Sequence, residues 1–168
     1  MKGLALMLVA CSTVAFAQSS EGGKAELKDA TGKTVGMVIL AETPHGVLMH
    51  VTLMSAPPGQ HAFHVHTTGK CEAPFTSAGG HFNPDSKQHG ISNDMGMHAG
   101  DMPNIMIPAD GNLIFDVFNS GVTLKQGTPN SLFKDGGTAL MLHGAADDYK
   151  SDPAGNAGPR IACGVVTH

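Results

Sequence analysis

The stretch 24-KAELKDATGKTVGMVILAETPHGVLMHVTLMSAPPGQHAFHVH-66 carries the fold. Apolar and polar residues alternate along it, β-branched residues are frequent, and turn residues interrupt it at short intervals. Ala25-Glu26-Leu27-Lys28 runs into the turn Asp29-Ala30-Thr31-Gly32, and strands follow over 34–42, 47–54 and 60–66. Pro44-His45-Gly46 and Pro57-Pro58-Gly59 separate them. Short period-two strands at this spacing predict an all-β chain, an antiparallel sandwich or barrel. Further strands are expected over 105–108, 113–118, 138–143 and 161–166, the first two joined by Ala109-Asp110-Gly111-Asn112. That makes about eight strands, with no convincing helix and no internal repeat.

The rest is loop. Residues 67–104 are rich in Gly, His, Asp, Asn and Pro without periodicity, 144–160 form a second irregular stretch, and 122–137 read mostly as loop. Loops beyond about 12–15 residues are uncommon in compact domains unless they are functional or tied down. A metal and a disulfide would tie down the first of these. The 168 residues suit one domain, and 10 Lys+Arg against 14 Asp+Glu leave a net charge of −4. With no basic stripe, no Trp and a single Tyr, the chain lacks what nucleic-acid binding requires.

Residues 1–17 read as a signal peptide: Lys2, an apolar run over 3–16, and Ala15-Phe16-Ala17 before Gln18. The run is too short to span a bilayer in the mature protein, so cleavage after Ala17 and a domain over 18–168 are expected. The destination is periplasmic or extracellular. Leu8-Val9-Ala10-Cys11 resembles a lipoprotein box. Its Cys comes early for a signal of about 15–30 residues, so a soluble mature chain is expected over a lipid anchor at Cys11. Cys71 and Cys163 remain, and in an oxidising compartment such a pair reads as one disulfide.

The 10 His residues are unevenly placed. In Ala62-Phe63-His64-Val65-His66 the two imidazoles share one outer face, which suits a first-row transition metal, while Phe63 and Val65 face the core. His81, His89, His98 and Asp101 fall in the long loop, a nitrogen and carboxylate set that suits a closed, structural zinc site. His143 ends the strand Ala139-Leu140-Met141-Leu142 and could join His64 and His66.

Five blocks together resemble the copper/zinc superoxide dismutases, specifically exported bacterial ones. They are Phe63-His64-Val65-His66, Gly80-His81-Phe82-Asn83-Pro84, His89-Gly90, His98-Ala99-Gly100-Asp101, and the run GNAGPRIACGV over 155–165. The resemblance covers residues 24–166 and implies a Greek-key sandwich with two functional loops. It implies one copper per chain on His64, His66, His81 and His143, and one zinc on His81, His89, His98 and Asp101. His81 would bridge the metals and pass a proton to the product. Asp147 would link His64 to His89, and His61 would support the site from beneath. Cys71 and Cys163 match the intrasubunit disulfide, and Arg160 the arginine that docks superoxide. A homodimer is compatible with the resemblance, through a surface the sequence does not define.

Departures from the family are Ala62 in place of a common Gly, Pro159 before Arg160, and a short loop over 144–160 without a Lys-rich stretch. Only Lys150, beside Asp147 and Asp148, could add to steering there. Met95, Met97, Met102 and Met106 flank His98. Thioethers suit Cu(I), but methionine is a common gap-filler, and the second reading is adopted. Two other functions fit the same fold: a copper-delivery protein, and a metal-stabilised domain without turnover.

Overall fold

A computed structural model describes residues 22–168, so the signal peptide and Cys11 lie outside the described residues. Among the described residues nine strands form: β1 (Gly22–Asp29), β2 (Thr34–Thr43), β3 (Gly46–Leu53), β4 (Gly59–His61), β5 (Phe63–His66), β6 (Ile105–Ile107), β7 (Leu113–Asn119), β8 (Ala139–His143) and β9 (Arg160–Val165). Among the described residues the only helix is a 3₁₀ turn, Thr76–Ala78. All strand pairings are antiparallel, in a seven-stranded sheet of order β5-β8-β9-β1-β2-β3-β7 and a two-stranded sheet, β4-β6.

Alternation sets which faces are inside. Ala25 and Leu27 of β1, Val38 and Leu40 of β2, and Val47, Met49, Val51 and Leu53 of β3 are buried. They share one core with Phe63 and Val65 of β5 and Leu140 and Leu142 of β8. A smaller cluster lies behind β8 and β9, where Ala139, Met141 and Cys163 pack against Phe75, Ala78 and Cys71 of the long loop. β8 is therefore buried on both faces, which explains its continuous apolar run.

Three expectations change. The run 60–66 is two strands: Ala62 separates β4, paired with β6, from β5, paired with β8. Its N–H donates to Ala145 O at 2.9 Å and its carbonyl accepts from His143 N at 3.0 Å. Those two bonds divert the chain from one sheet to the other. Arg160 opens β9 rather than ending a loop, because it pairs with His143. His64 and His66 do point away from the core, yet neither is exposed. The long loop folds back over that face. Phe82 N donates to Val65 O at 2.8 Å and Val65 N to Gly100 O at 2.9 Å, so the loop occupies the free edge of β5. Gly100 makes that approach possible, since a Cβ there would collide with Val65 O.

Candidate metal centre

β5 and β8 present three imidazoles to one spot. His64 and His66 come from alternate positions of β5, and His143 from the end of β8, where the register shifts between Leu142 and His143. His61 Nδ1 donates to His143 O at 2.8 Å and holds that irregular end from beneath. His66 donates through Nδ1 to Gly79 O at 3.0 Å, which leaves Nε2 to face His143 Nε2 at 3.3 Å. His81, bridged to His66 across the β5 edge, brings its ring centroid to 4.2 Å from that of His64.

A second set lies on the far side of His81. Three imidazole nitrogens crowd one carboxylate oxygen: His81 Nδ1, His89 Nδ1 and His98 Nδ1 lie 2.8, 3.0 and 3.3 Å from Asp101 Oδ1. Three separate hydrogen bonds to one oxygen would be unusual, and His98 Nδ1 makes none despite its burial. Donors held about 2.0–2.1 Å from a tetrahedral ion stand about 3.3 Å apart, close to the spacing found. The other oxygen, Asp101 Oδ2, accepts from Gly90 N and His98 N at 2.9 and 3.0 Å, which orients the carboxylate.

His81 belongs to both sets, with Nδ1 toward Asp101 and Nε2 toward the first. His64 Nδ1 and His81 Nε2 are buried without a hydrogen-bond partner, and His66 Nε2 and His143 Nε2 have only each other. Orphaned buried nitrogens are costly, and several around one point fit a soft-to-borderline metal ion. The donor sets thus fit both metals: all-imidazole beside β5 and β8 for copper, and three imidazoles with a carboxylate for zinc.

Asp147 joins the sets. Its carboxylate accepts from His64 Nε2 at 3.0 Å and His89 Nε2 at 2.9 Å. The loop over Asp147 leaves no room: at Gly155, with φ +65°, a Cβ would collide with Asp147 Oδ1 and the His89 ring. Burial drives the His66 pKa down to about 2, the His143 pKa to about 3 and the His81 pKa to about 4, with neighbouring imidazoles adding to the effect in each. These rings are neutral across physiological pH. His89 behaves oppositely. Burial disfavours its charge, but hydrogen bonds to Asp101 and Asp147 outweigh this and raise its pKa to about 9. Asp101 and Asp147 also resist burial and are held well below the usual carboxylate range by their imidazole partners.

Arg160 lies beside the first set, half-buried. Its Nη1 donates to Phe75 O and its Nη2 to Gly79 O, each at 2.6 Å. Gly79 O is the carbonyl that also receives His66, so one peptide positions both side chains. The two acceptors sit in the loop that the Cys71–Cys163 disulfide fastens to β9. Lys150 is exposed. Of the methionines near His98, only Met102 fills the core, at 1% exposure, whereas Met95, Met97 and Met106 are exposed. The gap-filler reading holds for Met102 alone.

Two residues escaped the sequence reading. Asn104 grips the backbone of Asp147 from both sides: Nδ2 donates to Asp147 O and Oδ1 accepts from Asp147 N, both at 2.8 Å. Tyr149 OH accepts from Asn104 N at 2.7 Å, and Tyr149 O accepts from Ser92 N at 2.9 Å. Together they clasp the two loops. An Asn and a Tyr in irregular segments carry no spacing signal, so nothing local could have marked them.

Known proteins agree with this geometry. The sequence profile of the family described as copper/zinc superoxide dismutase (SODC) matches residues 34–166. A protein of Aquifex aeolicus named superoxide dismutase [Cu-Zn] 1 is 55% identical over 144 residues, covering 84% of this chain and 85% of that one. Among solved structures, a superoxide-dismutase-like protein from Bacillus subtilis superposes with a TM-score of 0.82 at 37% identity, covering 84% of this chain and 96% of that one. The Cu/Zn superoxide dismutase of Brucella abortus gives a TM-score of 0.69 at 30% identity, over 86% of this chain and 98% of its own. The chain belongs to the copper/zinc superoxide dismutase family.

Proposed function

We propose that the protein is an exported superoxide dismutase, converting two superoxide ions and two protons to dioxygen and hydrogen peroxide. The observation that carries this reading is His81, shared between an all-imidazole set and a set completed by Asp101. His64, His66, His81 and His143 hold copper, and His81, His89, His98 and Asp101 hold zinc. Copper, when bound, supplies the one-electron cycle that oxidises one superoxide and reduces the next. Zinc has no redox chemistry and organises the loop.

The chain's own residues do the rest. Arg160, whose pKa burial lowers without discharging it, offers its remaining N–H donors to an anionic diatomic. The carbonyls of Phe75 and Gly79 aim it. His81 Nε2, buried and unpaired, is placed to hold a proton and release it to the departing peroxide, while zinc on Nδ1, shared with Asp101, would fix the tautomer and orientation of the ring. Asp147 keeps His64 and His89 in register.

Metal analysis of the loaded protein combined with a superoxide-consumption assay tests this reading. One copper and one zinc per chain with fast turnover is expected. Copper binding without turnover would favour a delivery protein, and a single metal species that copper cannot displace would favour a structural domain. Arg160 has its own test. The order of kcat/KM should be parent, Arg160→Lys, Arg160→Ala, Arg160→Glu, following loss of the fork, of the charge, then its reversal. Metal content should not change. Equal rates for the parent and Arg160→Glu at low salt would remove its docking role. Rising ionic strength should slow the parent by screening this attraction.

The disulfide fits an oxidising compartment, and among the described residues no helix is long and apolar enough to cross a membrane. We infer periplasmic or extracellular release after cleavage behind Ala17, with no lipid at Cys11. A homodimer is supported by the outer face of β2, β3 and β7, where Ile39, Leu48, Ile114 and Phe118 are exposed around a His50–Asp116 pair at 2.7 Å. An exposed apolar face of this kind suits a two-fold interface. Intact mass and sedimentation of the secreted protein test both: a chain starting at Gln18, sedimenting as a dimer, is expected. A lipidated Cys11 or a monomer at every concentration would overturn the respective reading.

A further inference from the structure

We propose that Asp152 is a positioning residue of the zinc site, acting on two of its ligands from the opposite loop. The inference rests on the zinc assignment made above. Asp152 lies between Ser151 and Pro153 in the loop over 144–160, outside every block that carries the family resemblance. Its Oδ1 accepts from the backbone N–H of His89 at 2.6 Å and lies 4.0 Å from His98 Nε2. One oxygen therefore addresses the main chain of one ligand and the ring of another.

The need for such a group follows from the other imidazoles. A metal-bound imidazole is oriented and made more basic when its second nitrogen donates to a carboxylate or carbonyl. His89 meets this need with Asp147, and His81 turns its second nitrogen toward the copper set. His98 directs Nδ1 at Asp101, and the carboxylate that faces its Nε2 is Asp152. At 4.0 Å the contact is electrostatic rather than a direct hydrogen bond. The short bond to His89 N is what holds the carboxylate there. Half of the Asp152 side chain is exposed, at 52%, while that of His98 is 8% exposed, so Asp152 forms the solvent-side wall of the ring. Asp147 and Asp152 thus grip the zinc loop from the same segment, one beneath His89 and one outside His98.

The test uses Asp152→Ala and Asp152→Asn in the full mature protein. Zinc release to an excess of a chromophoric chelator is timed, and Co(II) is substituted for zinc to read ligand geometry from its visible bands. Asp152→Ala should release zinc about 10–100-fold faster, the usual cost of losing an outer partner of a metal ligand, with shifted Co(II) bands. Asp152→Asn keeps an acceptor for His89 N but loses the charge facing His98, and should fall between. Parent-like release from Asp152→Ala would overturn the proposal. So would faster release with unchanged Co(II) bands, which would make Asp152 a clasp between loops and nothing more. A parent that takes up neither zinc nor Co(II) would instead refute the zinc assignment itself.

Discussion

Replacing His143 or His64 with Ala should abolish superoxide consumption while leaving a folded β-protein. Both rings are buried, at 3% and 0% exposure; His64 Nδ1 has no protein partner, and His143 Nε2 meets only the imidazole nitrogen of His66. Removing an outer hydrogen-bond partner from a metal site costs about 10–100-fold, and removing a direct ligand of the redox metal should cost more. The fold should survive because these side chains project away from the main core, which Phe63, Val65, Leu140 and Leu142 build from the opposite face of the same strands. Copper content and the visible absorbance of the Cu(II) protein should fall with activity, while far-ultraviolet circular dichroism keeps its β-sheet form. His64→Ala should also weaken zinc retention, since Asp147 then loses one of its two imidazole partners. Turnover surviving either change would refute the copper assignment.

Reducing the Cys71–Cys163 disulfide should produce the largest loss of stability. The cross-linked residues are 92 positions apart, and closing a loop of that size is worth up to about 4–5 kcal/mol on the chain-entropy model. For a chain of this length that corresponds to a fall in Tm of roughly 10–15 °C, measured with and without a reductant, or with Cys71→Ser. Activity should drop as well. The bridge fastens the loop that carries Phe75 O and Gly79 O, and those carbonyls aim Arg160 and orient His66. An unchanged Tm would mean that packing of Phe75 and Ala78 against Met141 secures this loop alone.

Much of this protein was legible in its residues. Alternation over 24–66 is a local property: side chains two apart share a face whatever the rest of the chain does. β1, β2 and β3 therefore appear close to where the pattern places them. The ligand candidates were legible for a related reason. His64 and His66 sit two apart on a strand, and His81, His89, His98 and Asp101 crowd a segment too irregular to need imidazoles for packing.

What depends on distant partners was not legible. Ala62 divides one apolar run into two strands because Ala145 and His143, some eighty positions away, capture its N–H and carbonyl. His64 and His66 look like outer-face residues until the loop pairs with the edge of β5 and buries them. Asn104, Tyr149 and Asp152 carry no pattern, and their roles exist only where two loops meet. Periodicity and ligand chemistry act over a few residues and can be read in one dimension. Loop closure, the burial that neutralises His66, and the contacts that aim Arg160 arise from long-range packing, and only the tertiary structure decides them.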